Sequence, residues 1–358
     1  MKKLFAFLIA ISLLLSGCVV YVPTTAEPAP TTAPTSATVV EGESLIIHYI
    51  DVGQADCILL EHDGQYMLID GGNREDGQLV VSYLEQQGVQ ELAAVVCTHA
   101  HEDHVGGLPS VLAVYPTAAV YAPTKAYSSK VFDDFVYYTD QQGLEITIPA
   151  PGDSFLLGQV RITVLGPVKS YAETNDTSIV LLVEHLENRF LFTGDMEVAA
   201  ENDMLDYWGN RVNWNVDVLK VGHHGSSTSS GYRFIYETDP EYAIIPVGEG
   251  NTYGHPHEEV LSRYTDAGIP MFRTDELGHI IVTSDGYQLT VTWENQSAQP
   301  DDVTPAETVT TTFIGNKNSR KFHATDCGSL PKEENQVIFG SYNEAVEAGY
   351  SPCGSCLG

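Results

Sequence analysis

Residues 98–107, THAHEDHVGG, are the stretch of this 358-residue chain that decides its fold class and its chemistry. The stretch directly follows an apolar run, LAAVVC, which predicts a buried strand. His99 and His101 alternate along it, and Asp103 is followed at once by His104. Imidazole nitrogens and carboxylate oxygens on one loop suit zinc or manganese. The loop therefore predicts a site for one or two divalent cations, Zn²⁺ or Mn²⁺, at the end of a strand.

The segments around this loop alternate between strand and helix patterns. Three adjacent strands are predicted upstream, at 45–50, 57–61 and 66–70, and a helix follows them at 79–87. Downstream, helices are predicted at 108–114 and 256–267, and strands at 160–165, 179–184, 190–193, 216–221, 242–247 and 280–293. Strands interleaved with helices over roughly 250 residues indicate an α/β body.

The pattern His99-x-His101-x-Asp103-His104 resembles the signature of the metallo-β-lactamase superfamily, over about residues 44–295. The resemblance implies the αββα sandwich of that superfamily and a metal-dependent hydrolase activity. In such a site, two adjacent cations lower the pKa of a bridging water from about 15.7 towards neutrality and hold the resulting hydroxide in line with an electrophile.

The resemblance also assigns roles to residues outside the histidine loop. Asp70, in LIDGG, corresponds to an Asp that orients one imidazole of the loop. Asp195, in FTGD, corresponds to a carboxylate that bridges both metals. A final His ligand follows another strand, where LKVGHHGS offers two candidates. We expect His223 to be the ligand and His224 to be a pocket residue beside it.

One element of the superfamily pattern is missing. Most members place another His ligand between the loop and Asp195, whereas the corresponding stretch here, TNDTS at 174–178, contains none. The position is left to water, Asn175 or Asp176, which are expected to lie beside the metals. The missing His also disfavours a β-lactamase proper.

Four further motifs narrow the resemblance to one subgroup. They occur in the order found in the β-lactamase-like domain of the DNA-uptake competence protein ComEC and its stand-alone relatives: HYIDVGQAD (48–56), NDTS (175–178), HHGS (223–226) and NTYGHPH (251–257). No polytopic membrane channel accompanies these motifs. The resemblance therefore implies the hydrolase-like module and not translocation.

The subgroup implies cleavage of phosphodiesters or phosphomonoesters. The catalytic residues are then expected to be Asp103, His224 and His255, with His255 contacting or protonating the leaving group. An equally good interpretation of His255 is a cap for the helix that begins at Pro256.

Residues 313–358 form a second predicted domain, joined to the body by a polar linker at 296–312. Four donors have the spacing of a tetrahedral structural zinc site: His323, Cys327, Cys353 and Cys356. The module resembles the zinc-binding domain of Ada-type DNA-repair proteins, with His in place of the first Cys. A disulfide is the weaker alternative, because three cysteines leave an odd thiol. Four Lys or Arg against five Asp or Glu leave DNA docking by this module open.

The N-terminus is typical of an exported lipoprotein. A basic start and an apolar run, Leu4 to Leu15, predict a signal peptide, and LSGC resembles a lipobox with Cys18 as the lipidated residue. The domain scheme is then a signal peptide and lipobox at 1–18, a Pro/Thr/Ala-rich tether at 19–43 and the hydrolase at 44–295. The membrane contact would be the lipid alone, without a transmembrane helix in the mature protein, on the outer face of the cytoplasmic membrane or, in a diderm, on the outer membrane. An ordinary signal peptide or an N-terminal anchor helix is the alternative.

Charge constrains the substrate. With 17 basic and 48 acidic residues, the net charge of −31 disfavours extended non-specific binding to nucleic acid. If the substrate is a polyanion, bound cations must supply most of the positive charge next to it. We expect a surface phosphodiesterase, most simply a nuclease acting on extracellular DNA or RNA. The alternatives are hydrolysis of another surface ester, such as a phosphocholine ester or a lactone, and a non-catalytic metal-bound receptor that captures DNA.

Overall fold

The computed structural model describes residues 44–301, 312–325, 327–340 and 342–357. The predicted signal peptide, the tether and the lipidation site Cys18 lie outside the described residues, and so does most of the predicted linker. Within the described part of the chain, no helix is long and apolar enough to span a bilayer.

Nineteen strands occur among the described residues. In chain order they are β1 (Leu45–Tyr49), β2 (Ile58–His62), β3 (Gln65–Ile69), β4 (Ala94–Val96), β5 (Val120–Tyr121), β6 (Ile146–Thr147), β7 (Ser154–Leu157), β8 (Val160–Gly166), β9 (Val180–His185), β10 (Asn188–Phe192), β11 (Val218–Lys220), β12 (Tyr242–Ile245), β13 (Met271–Arg273), β14 (Ile280–Ser284), β15 (Leu289–Trp293), β16 (Phe313–Asn316), β17 (Lys321–Ala324), β18 (Gln336–Phe339) and β19 (Ser351–Pro352).

The helices lie between these strands. They are α1 (Gly77–Gln86), α2 (Glu102–Val105), α3 (Leu108–Val114), α4 (Lys130–Gln141), α5 (Val198–Trp208), α6 (Tyr232–Thr238), α7 (Glu258–Ala267), α8 (Thr274–Leu277) and α9 (Tyr342–Glu347). The structure confirms the strands and helices predicted upstream of the histidine loop, and it adds α4, α5 and α6, which the sequence analysis did not predict.

Two large sheets pack face to face. Among the described residues, one sheet has the order β15-β14-β1-β2-β3-β4-β5-β6 and the other β13-β12-β11-β10-β9-β8-β7. Apolar side chains from both sheets, such as Ile47 and Phe190, form the core between them. α1, α3 and α4 cover the outer face of the first sheet, and α5, α6 and α7 cover that of the second. This is the predicted αββα sandwich.

The loops that carry the predicted site residues meet at one edge of this sandwich. They follow the carboxyl ends of β3, β4, β10, β11 and β12, strands that run parallel to a neighbour in their sheet. In such sheets the carboxyl ends of parallel strands are the usual place for a ligand site. Gly71 and Gly107 cross so closely there that a side chain on Gly107 would overlap the carbonyl oxygen of Gly71. This close crossing holds the histidine loop against the end of β3.

The C-terminal residues form a small separate sheet in the order β18-β16-β17-β19. Its core is a cluster of aromatic and apolar side chains that includes Phe313, Phe322 and Tyr342. The ring of Tyr232, at the start of α6, stacks on that of Tyr342 with centroids 5.7 Å apart. The module therefore packs against the helix layer of the second sheet. The predicted domain limits, 44–295 and 313–358, stay predictions.

Candidate active site

Four donor side chains from three loops converge at the carboxyl edge of the two sheets. Asp103, His104, Asp195 and His224 each offer one donor atom, and these atoms lie within 4.8 Å of one another. His104 Nε2 is 3.2 Å from Asp195 Oδ1, and His224 Nε2 is 3.4 Å from Asp103 Oδ2. Two carboxylates and two imidazoles at this spacing form a donor set suited to a divalent cation.

Hydrogen bonds from outside this group fix the orientation of both imidazoles. His104 Nδ1 lies 2.8 Å from Asp70 Oδ2, and His224 Nδ1 lies 2.9 Å from the carbonyl oxygen of Pro246. Because a carboxylate and a carbonyl only accept hydrogen bonds, both Nδ1 atoms donate, and both Nε2 atoms point into the group. Asp70 also accepts hydrogen bonds from the backbone N and the hydroxyl of Thr98. This is the contact with the histidine loop that was expected of Asp70.

The inward-facing atoms lack partners. His104 Nε2, His224 Nε2 and Asp195 Oδ1 are buried and have no hydrogen-bond partner within the described part of the chain. Buried polar atoms without partners are costly, so a convergent set of them calls for a ligand. Burial opposes protonation of His104, but Asp195, Asp70 and Asp103 outweigh it and raise its pKa well above the ordinary value. The group therefore fits a cation in both geometry and charge.

His99 and His101 lie beside this group. His99 Nε2 is 4.0 Å from Asp195 Oδ2 and 3.1 Å from His101 Nδ1. His99 is fully buried, whereas His101 is partly exposed and precedes α2. Asp195 thus faces His104 through Oδ1 and His99 through Oδ2. Its role as a bridging carboxylate stays a prediction.

His223 faces a different part of the site from His224. Its Nε2 is 3.8 Å from Asp195 Oδ2, and its Nδ1 is 3.2 Å from Glu197 Oε1. Both histidines have left-handed backbone angles, with φ of 48° and 52°, which are rare for residues other than Gly. The assignment of His223 rather than His224 as the ligand stays a prediction; the distances favour His224 for the group with Asp103.

Asn175 and Asp176, which precede β9, separate in the structure. Asn175 Nδ2 is 3.3 Å from His223 Nδ1, and Asn175 faces the cleft. Asp176 turns away and accepts a hydrogen bond from the backbone N of Glu197 at 3.1 Å. Of the two, only Asn175 is therefore placed to replace the missing His ligand.

His255 lies at the cleft wall. Its ring meets that of His223 at a centroid distance of 5.5 Å, and Gln54 Nε2 is 3.4 Å from its Nδ1. Burial and the neighbouring histidines lower its pKa to about 4. A neutral imidazole at physiological pH is suited to contacting a leaving group, and less to protonating it. The residue directly before α7 is His257, which makes it, rather than His255, the N-cap.

Lys220 and Asp56 form a buried ion pair beside the donor group, and neither was predicted from the sequence to be a site residue. Lys220 is fully buried; its Nζ lies 2.5 Å from Asp56 Oδ2, 2.7 Å from the carbonyl oxygen of Gly194 and 3.6 Å from Asp195 Oδ1. Burial opposes its charge, but Asp56 and Asp195 raise its pKa above the ordinary value. The signal was a lone Lys in the apolar strand run VDVLKV, since a fully buried Lys is rare unless paired.

These groups open into a cleft of about 980 Å³. Besides Asp103 and Asp195, its walls carry the carboxylates of Asp51, Glu75, Asp76, Glu102 and Glu249. No Lys or Arg belongs to the described lining. An anionic substrate therefore finds no Lys or Arg partner in the described lining, and bound cations would supply positive charge there.

The C-terminal donors also meet. His323, Cys327, Cys353 and Cys356 offer donor atoms within 4.8 Å of one another. His323 Nδ1 is 3.4 Å from Cys327 Sγ. None of the module's described cysteines is in a disulfide. One imidazole and three sulfur atoms at this spacing fit a tetrahedral zinc site.

Comparison with known families agrees with this geometry. A family model described as the metallo-beta-lactamase superfamily matches residues 50–249, more than half of the chain. The chain belongs to the metallo-β-lactamase superfamily. A second model, described as the metal binding domain of Ada, matches residues 306–357 and confirms the resemblance of the C-terminal module. The protein is thus a metal-dependent hydrolase of the metallo-β-lactamase superfamily with a small zinc-binding-like module.

Its curated relatives confirm the ComEC-like resemblance. ComE operon protein 3 of Bacillus subtilis is 30% identical over 259 residues, which are 67% of this chain and 33% of that protein. Competence protein ComA of Neisseria gonorrhoeae is 29% identical over 267 residues, which are 74% of this chain and 34% of that protein. The chain spans about a third of the length of these relatives. Among solved structures, the metallo-β-lactamase fold protein YhfI from Bacillus subtilis aligns with a TM-score of 0.47 at 12% identity, covering 67% of this chain and 99% of that one.

Proposed function

We propose that this metallo-β-lactamase-fold protein is a phosphodiesterase that cleaves nucleic acid strands outside the cytoplasm. The observation that carries the proposal is the convergence of three buried atoms that make no hydrogen bond within the described residues, His104 Nε2, His224 Nε2 and Asp195 Oδ1, at a cleft whose described lining contains no Lys or Arg. The choice of a nucleic acid substrate is supported by the relative named as a competence protein, since competence is the uptake of DNA.

Each donor has a part in this proposal. Asp103, His104, Asp195 and His224 would hold one divalent cation, Zn²⁺ or Mn²⁺. His99 and His101 would hold a second together with Asp195 and His223, with Asn175 at the position that lacks the usual His. Bound cations would supply an activated water and polarise the phosphorus of the substrate.

The remaining side chains orient these donors. Asp70 fixes the ring of His104, and Lys220 holds the backbone of Gly194 directly before Asp195. Asp103, whose side chain is 31% exposed, is the more exposed of the two carboxylates in the donor group. His255 contacts the leaving group from the cleft wall.

The first test is digestion of single- and double-stranded DNA and RNA by the chain from Glu43 onward, stripped of metal and then supplied with Mn²⁺ or Zn²⁺. Asp195→Ala and the double variant Asp103→Ala, His104→Ala should abolish cleavage. Asp206→Ala is the matched control, because that carboxylate is 71% exposed and pairs with Arg233. Losing several kcal/mol of charge stabilisation corresponds to a rate loss on the order of 10³-fold or more.

Other outcomes select the alternatives. Intact nucleic acid beside metal-dependent hydrolysis of a phosphocholine ester or a lactone would keep the hydrolase and replace its substrate. Binding of DNA without turnover, unchanged in Asp195→Ala, would indicate a metal-bound receptor.

Anchoring through Cys18 is a separate part of the proposal, supported by the lipobox-like LSGC. Expression of the full chain should place it in the membrane fraction with an acylated N-terminal Cys, as mass spectrometry would show. Cys18→Ala should release the protein from that fraction or leave its precursor uncleaved; an unmodified Cys18 would contradict the anchor.

A further inference from the structure

Tyr253 is an aromatic residue that the fold holds in an exposed position in the metal cleft. Its side chain is 68% exposed and belongs to the cleft lining. The loop that carries it is built around the side chain of Asn251. Asn251 Oδ1 accepts hydrogen bonds from the backbone N of Tyr253 and of His255, and its Nδ2 donates to the carbonyl oxygens of Gly248 and His255. The exposure of Tyr253 is therefore a feature of an ordered loop.

One face of the Tyr253 ring is backed by a second ring. Tyr253 and His255 stack with centroids 5.6 Å apart and an interplanar angle of 25°. His255 in turn meets His223, whose Nε2 is 3.8 Å from Asp195 Oδ2. A row of rings thus leads from the donor group to an open aromatic face at the cleft mouth.

The charge of the cleft limits the ways in which it can bind a nucleic acid strand. The described lining has carboxylates on its walls and no Lys or Arg, so a nucleic acid strand gains little from ion pairs with side chains there. Binding energy that is independent of charge then has to come from contact with the bases. Stacking of a base on an aromatic side chain contributes about 1–3 kcal/mol and tolerates any base. Bases in a duplex are paired and stacked on each other, so only an unpaired base offers a free face.

We propose that Tyr253, backed by His255, is a stacking platform for an unpaired base of the strand whose phosphodiester lies at the donor group. The inference rests on the phosphodiesterase function proposed above and names its substrate class, single-stranded nucleic acid. Tyr253 is then a specificity-determining residue, separate from the residues that hold cations.

The test compares two cleavage-resistant phosphorothioate strands of equal length and charge, one of thymidine and one of abasic deoxyribose, binding to the metal-loaded full chain. Fluorescence anisotropy should show about 5- to 150-fold tighter binding of the thymidine strand, which corresponds to 1–3 kcal/mol. In Tyr253→Ala that ratio should fall towards one, whereas Tyr253→Phe and Tyr253→Trp should keep it.

The matched control is Tyr287→Ala. Tyr287 is also 68% exposed, but it lies in the turn between β14 and β15 and outside the cleft lining. The control should keep the wild-type ratio. An unchanged ratio in Tyr253→Ala, or an equal loss in Tyr287→Ala, overturns the inference.

A second readout separates this inference from the function on which it rests. The same proteins are given natural phosphodiester strands, single-stranded and duplex, with Mn²⁺ or Zn²⁺. Cleavage together with an unchanged base preference in Tyr253→Ala overturns the platform alone. If the wild type cleaves no strand, the proposed phosphodiesterase function is wrong, and so is the inference about Tyr253, because it rests on that function.

Discussion

Two groups of potential metal ligands among the described residues, one in the cleft and one in the C-terminal module, differ in what holds them in place. In the cleft, each imidazole of the four-donor group is oriented from outside the group, His104 by Asp70 and His224 by the carbonyl oxygen of Pro246. The donors follow strands of two large sheets with extensive cores on both faces.

The C-terminal group has much less support. His323 Nδ1 faces Cys327 Sγ, another donor of the same group, and the apolar core around it is small. From this difference we expect the cleft to keep its arrangement without a cation, whereas the module should depend on a bound metal for its fold.

The double variant Cys353→Ser, Cys356→Ser should unfold the module and leave the sandwich intact. Zinc binding in small modules contributes on the order of 10 kcal/mol to folding, more than a core of this size can replace. Hydrogen exchange of the full chain should show loss of protection at β16–β19 and unchanged protection in the two large sheets. Ser329→Ala, an exposed change in the same module, is the control. Protection of the module in the double variant would contradict the comparison.

Lys220→Met should destabilise the sandwich by about 3–5 kcal/mol, because it leaves the buried carboxylate of Asp56 without its cation. Denaturant unfolding measures the change. The double variant Lys220→Met, Asp56→Asn removes both charges and should recover part of the lost free energy of unfolding. If the double variant is as unstable as the sum of the two single variants, the pair does not act as a unit.

Glu201 is a buried carboxylate close to the contact between the sandwich and the C-terminal module. It accepts hydrogen bonds from the backbone N of Ser230 and of Gly231, directly before Tyr232, whose ring stacks on that of Tyr342 in the module. Burial raises its pKa from 4.5 to about 8, against these hydrogen bonds and the charge of Arg263. The folded state thus holds the proton more tightly than the unfolded state, so this contribution is complete below about pH 4.5 and is lost as the pH rises through about 8.

The expected change between these limits is on the order of a few kcal/mol in the free energy of unfolding. Glu201→Gln should flatten this part of the stability profile, as thermal melts from pH 5 to 8 would reveal. Asp206→Asn, an exposed carboxylate change, serves as the control. A profile of equal slope in Glu201→Gln would show that another group titrates there.

Asp70→Asn should weaken cation binding in the cleft by about 10- to 100-fold while the fold persists. The amide can no longer accept from Thr98 and His104 in the same way, so the ring of His104 loses its fixed orientation. Calorimetric titration of metal-stripped protein with Zn²⁺ measures the affinity. Metal affinity equal to that of the wild type would mean that Asp70 does not orient the donor.

Much of the body could be predicted from the sequence because local patterns agree with the fold. The apolar strands around the histidine loop are buried on both faces and read as continuous runs, and α3 has the predicted bounds of 108–114. α4 and α5 were missed. α4 is rich in aromatic and β-branched residues with modest helix propensity, and its formation rests on packing of Phe132 and Phe135 against the first sheet.

The site residues likewise divide into those that local sequence patterns predict and those that depend on tertiary structure. Spacing selected the donors of the histidine loop, and the order of motifs selected Asp70 and Asp195. Lys220 and Asp56 were missed because they meet only when the two large sheets pack together: Asp56 precedes β2 in one sheet and Lys220 ends β11 in the other, a long-range contact that spacing does not encode. The different directions of His223 and His224 depend on backbone angles that the letters HH do not predict.

Those two left-handed histidines also make the protein awkward to engineer. Each such residue stores on the order of 1–3 kcal/mol, which Gly at the same position would release. A library selected only for heat resistance should therefore enrich Gly at His223 and His224 and discard donors of the cleft in the process. The trade-off between stability and activity in this loop therefore concerns two adjacent residues, His223 and His224. Directed evolution of the protein has to select for stability and for activity together.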